Sequence, residues 1–169
     1  MPLWPLVVVQ WLHVAFAIAW VGGTLAMAVL VAPAAAGLPL ESRRAVGRRL
    51  AARAGAFYAV AGTGTLLLGI VRGTLLGSLR SVPSLATPYG LTWLVALVIT
   101  VGLAMMGALV VGPAFDRMHA DDRLWAPLAD GEAAPALTRA ARRLDLLSRA
   151  ELAGFGLVLG CMVLMSVGM

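Results

Sequence analysis

The sequence predicts an all-α integral membrane protein, a four-helix up-down bundle with both termini on the outer side. Three observations carry that expectation. The 169-residue chain is 61% hydrophobic and only 12% charged, whereas a soluble domain is about 25% charged. Its mean hydropathy is +0.92, and four apolar runs are each long enough to cross about 30 Å of hydrocarbon at about 1.5 Å per residue. The basic residues, all arginine, are unevenly spread. The first loop holds five and the third holds six, so two loops carry eleven of the thirteen.

The spans are expected at residues 3–31, 54–76, 89–111 and 150–167, in a single domain covering 1–169. Pro2 and Pro5 suit the first turn of the first span, and Pro33 is expected to end it. The run has no basic leader and is too long for a typical signal peptide, so it reads as a retained span. Residues 34–53 form a strongly basic loop with Arg43, Arg44, Arg48, Arg49 and Arg53. The second span places Gly62, Gly69 and Gly73 near one face, which permits close helix approach. Tyr58, Thr65 and Arg72 recur every seven residues on another stripe.

A short Gly, Ser and Pro-rich loop with Arg80 leads to the third span, which Gly112-Pro113 is expected to end or loosen. The third loop mixes Asp116, Asp121, Asp122, Asp130, Glu132 and Asp145 with six arginines. Its second half spaces Leu137, Ala140, Leu144 and Leu147 like an amphipathic helix lying on the membrane surface. The positive-inside rule places the first and third loops in the cytoplasm. The basic charge therefore reads as a topology signal, with no nucleic-acid partner. One cysteine, Cys161, makes no internal disulfide and reads as an apolar filler. No internal repeat is strong enough to use.

The stretch that carries chemistry is WLHVAFAIAWVGGTLAMAVLVAP, Trp11 to Pro33. It holds one ionisable group, His13, and a histidine within a span is costly without a partner. His13 falls about 9 Å outward of the middle of its span. Ala17, Trp20, Thr24, Met27 and Val31 continue its stripe. Arg72 falls at the outer end of the second span and shares that level. His119 lies past the opposite end of the third span, on the order of 25 Å away along the axis, and reads as an interfacial loop residue. Two histidines so placed do not clamp one metal or one haem. A haem would use both outer groups, since its iron takes an imidazole and its propionates take an arginine. The bland alternative is His13 hydrogen-bonded to a neighbouring helix and Arg72 reaching the headgroups. Thioethers favour Cu(I), which keeps Met27, Met105, Met106, Met162 and Met165 open as copper ligands beside core packing. Tyr58 and Tyr89 suit either a hydrogen bond to a cofactor or an aromatic belt, the belt being favoured.

Leu12 to Gly23, with His13 seven residues before Trp20 and the pair Gly22-Gly23, resembles the first-helix pattern of two groups of small bacterial membrane proteins. These are the copper-resistance protein D (CopD) domain family and the HemJ-type protoporphyrinogen oxidase family. Tyr89 to Leu109, which starts Tyr-Gly and runs into Leu, Val and Ala, resembles a helix of the copper family. The resemblance implies haem b or copper at His13. The lysine that both families carry early in the third helix is missing, since this chain has no lysine. The Leu-Pro-Arg segment of the HemJ type is also missing after Trp20.

The expectation is therefore a b-type haem protein of the bacterial inner membrane, a haem-dependent oxidoreductase or electron carrier at the outer face. His13 is the expected metal ligand, and Arg72, Trp20 and Thr65 the expected cofactor contacts. A quinone, an outer-face redox partner and a homodimer are compatible partners. Copper handling, and a cofactor-free membrane subunit or scaffold, stay open as alternatives. The chain shows no catalytic triad, paired intramembrane carboxylates or phosphate loop. Glu151 is the one acid near a spanning interior.

Overall fold

Four helices dominate the computed structural model, which describes residues 3–126 and 134–167. Pro2, Asp130 and Glu132 lie outside the described residues. Helix α1 runs Trp4–Ala36, α2 Leu40–Gly73, α3 Pro88–Ala120 and α4 Pro135–Ser166, each long and apolar enough to cross a membrane. At 32–34 residues each is about 50 Å long, well beyond about 30 Å of hydrocarbon. The four form one all-α bundle in which α1 packs chiefly on α2, and α3 chiefly on α4.

These lengths differ from the expected spans most at the two arginine-rich loops. Pro33 does not end α1, and Pro113 does not end α3. A proline lacks an N–H and its ring crowds the carbonyl four residues back. Here each helix widens by one turn just before its proline. Met27–Val31 and Gly107–Val111 are π-helical. The Ala32 N–H bonds the Met27 carbonyl, and the Gly112 N–H bonds the Gly107 carbonyl. That i to i−5 pattern lets the chain pass the proline without breaking. The two helices use the same device at the same offset from their prolines.

Beyond the expected spans, the basic segment after Pro39 is the first part of α2, not a loop. The amphipathic segment from Ala136 to Glu151 is continuous with the last span, not a separate surface helix. Pro39 stands at the N-cap of α2. In α3 the cap is Thr87, whose hydroxyl accepts the Gly90 N–H at 3.1 Å. Such a side-chain acceptor satisfies one of the orphan donors of a helix start.

Two buried clusters hold the bundle. Trp20, Ala61, Leu103 and Phe155, one from each helix, meet in the middle. Trp20 and Phe155 make an edge-to-face pair with centroids 5.1 Å apart and planes at 79°. The outward faces are apolar as well: Leu30, Val60, Val98 and Leu157, again one per helix, are 62–66% exposed. A bundle that is apolar outside as well as inside is built for lipid, not water. Inside it, the threonine hydroxyls bond back to carbonyls four residues earlier, Thr24 to Trp20, Thr65 to Ala61 and Thr100 to Ala96. No water is needed to satisfy them.

The second cluster lies at the arginine-rich end and joins Met118, Trp125 and Leu137. Trp125 Nε1 donates to the Met118 carbonyl at 2.7 Å, and Arg43 sits 5.9 Å over the Trp125 ring. Arg44 pairs with Asp122. His119 belongs here. It is buried in the last turn of α3, not in an interfacial loop, and Nδ1 donates to the Phe115 carbonyl at 2.9 Å.

Candidate functional site

Aromatic rings and the glycines of α2 interlock along the bundle. Trp20 lies against Gly62, Phe16 against Gly64, His13 against Gly69 and Trp93 against Gly73. The glycines expected to let helices approach therefore receive rings from α1 and α3. A Cβ on Gly69 would stand 3.0 Å from the His13 ring. With hydrogen there, α2 lies close enough for the imidazole to reach its backbone.

His13 Nδ1 lies 2.9 Å from the Thr65 carbonyl oxygen. A carbonyl only accepts, so Nδ1 carries the proton and donates. In the neutral ring Nε2 then keeps its lone pair. Arg72 Nε donates to Gln10 Oε1 at 3.1 Å. Gln10 stands three residues before His13, on the same helical face. One bond therefore ties each of Gln10 and His13 on α1 to α2.

These residues surround a cavity of about 360 Å³. Each expected site residue, His13, Trp20, Thr65 and Arg72, lines it. Gln10 and Trp93 line it too and were not singled out from the sequence. The signal for Gln10 was its place on the His13 stripe. Trp93 stands near the start of α3, and its fit on Gly73 brings it to the site. Met162 and Met165 reach the same cavity. Met27 lies in the π turn of α1 and Met105 is 55% exposed, so the methionines do not converge as a set. Cys161 is a free, half-buried thiol.

A haem needs an imidazole, a cation for its propionates and room for the macrocycle. The first two stand together at this cavity. The volume lies near the lower end of the roughly 300–1,000 Å³ of small-ligand sites. His119 is held in the other cluster and supplies no second imidazole. Among the described residues, no three His, Cys, Asp or Glu side chains come together as a metal would require.

Glu151 is buried within α4. A Cβ on Gly107 would lie 3.3 Å from its Oε1, so the carboxyl faces the π turn of α3. The sequence placed Glu151 near a boundary without indicating that contact.

The chain matches no family model, no curated protein and no solved structure. The likeness of Leu12–Gly23 to the CopD and HemJ patterns therefore rests on those residues alone.

Proposed function

We propose that this chain is a multi-pass membrane subunit that carries no redox centre of its own and acts by packing and binding. The observation that carries the proposal is that His13 and Arg72 are both held inside the bundle, by Thr65 and Gln10. An intramembrane histidine with a backbone partner has its cost met by the protein. It does not need an iron to explain its presence. The lipid-facing flanks and small-residue surfaces then serve contacts with bilayer and partner subunits.

In this reading the helices alternate up and down. The end of the bundle where α1 joins α2 and α3 joins α4, which gathers eleven of the thirteen arginines, lies in the cytoplasm of a bacterial cell, by the positive-inside rule. The cavity and both termini then face outward.

Protein purified from cells supplied with haem precursors is expected to be colourless, with neither iron nor copper at stoichiometric level by elemental analysis. His13→Ala should lower stability by about 0.6–1.7 kcal/mol, the range for a hydrogen bond between membrane helices. The change would be read in a thermal or denaturant titration, with no change in absorption.

A b-type haem protein is the competing reading, and one observation favours it. A ligating imidazole commonly donates its other N–H to a carbonyl, as His13 does to Thr65. A Soret band that His13→Ala abolishes would establish that reading and end the first. Stoichiometric copper without porphyrin would instead establish copper handling, with Met162 and Met165 as the first ligands to replace.

A further inference from the structure

The cavity has a polar mouth and an apolar depth. Arg72, Tyr89 and Ser166 line it within a turn of the ends of α2, α3 and α4. Ala17, Ala96 and Phe155 line it farther into the helices. The lining includes a guanidinium and an imidazole but no aspartate or glutamate. Arg72 spends Nε on Gln10, which leaves its two terminal nitrogens as the fork that pairs with a carboxylate or phosphate. A cation in such a setting, with no acid beside it among the described residues, suits an anion brought by a ligand. The volume of about 360 Å³ is room for a single chain.

We propose that this cavity binds a single-chain amphiphile with a carboxylate or phosphate head, the head paired with Arg72 and the chain lying along Trp20 and Phe155. The ligand enters head-last from the surrounding lipid, so its charge stays at the bilayer surface while its chain replaces lipid contacts. This goes beyond the subunit reading and fails separately from it. A Soret band would overturn that reading, whereas the inference stands or falls on amphiphile binding by colourless protein.

The test uses the full chain in phosphatidylcholine nanodiscs, so that no detergent competes. Dodecanoate and dodecyl phosphate should each raise the thermal midpoint saturably. Inorganic phosphate, acetate and the zwitterionic lysophosphatidylcholine should not. Arg72→Gln should weaken binding of both anions at least tenfold, and Arg72→Lys should restore part of it. Ala17→Phe, which fills the apolar depth and leaves Arg72 in place, should abolish binding independently, so a misfolded Arg72 variant does not decide the matter. Equal binding of the zwitterion would overturn the proposal. So would equal stabilisation by inorganic phosphate, or undiminished binding by a folded Arg72→Gln or Ala17→Phe protein.

Discussion

Trp20→Ala is expected to be the most damaging single truncation in the bundle, lowering unfolding stability by about 3 kcal/mol. Trp20 is 4% exposed at the level where all four helices meet. Its ring lies on Gly62, where a Cβ would be 3.6 Å away, and against the edge of Phe155. Lipid tails are as apolar as the core, so little transfer energy is at stake. The loss comes from the void and the forfeited contacts, which puts it at the low end of the roughly 3–5 kcal/mol for Trp→Ala in soluble cores. Trp20→Phe keeps part of the contact and should cost less than half as much. A double-mutant cycle with Phe155→Ala should return a coupling of about 0.5–1.5 kcal/mol, as aromatic pairs do. Denaturant titration of the four proteins measures it. Additive losses would mean that the two rings are not energetically linked.

Gly47→Ala should damage the other end of the molecule, by about 1–3 kcal/mol, the usual cost of overpacking. The new Cβ would run into the His119 ring. That ring has nowhere to go. Nδ1 holds it to the Phe115 carbonyl, with Phe115 at 4.3 Å and Trp125 at 5.3 Å between ring centroids. The effect should be local first: protease cleavage near Arg43–Arg53 should accelerate while the central cluster stays intact. His119→Ala in the same chain removes the obstruction and should recover part of the loss. If the double variant is no more stable than Gly47→Ala alone, the contact between Gly47 and His119 is not what the glycine is for.

Both predictions turn on positions the sequence presents unequally. Trp20 stands on the His13 stripe and its importance is legible from spacing. Gly47 sits within a run of arginines, where it looks like a loop residue. Its role appears only once the basic segment is seen to be helical and to lie against the end of α3. The same holds for the two prolines. Pro33 reads as a helix end because a proline usually is one, and Gly112-Pro113 as an end or a loosened last turn. What lets the chain continue is a π turn, which relieves the clash from within the helix and leaves no signal in composition. At the cavity, the meeting of His13, Thr65 and Arg72 was foreshadowed by heptad spacing along α2. The Gln10 bond to Arg72 and the fit of Trp93 on Gly73 depend on which helices are neighbours, and periodicity along one helix does not say that.

By itself the sequence determined that this protein lives in a bilayer as four apolar helices, because hydrophobic transfer and backbone satisfaction act along each segment separately. It also determined which few polar groups had to find partners there. Only the tertiary structure decided who those partners are: the Thr65 carbonyl for His13 and the Gln10 side chain for Arg72. Those choices depend on distances of a few ångströms between helices far apart in the chain, and apolar helices of similar composition can meet in many registers.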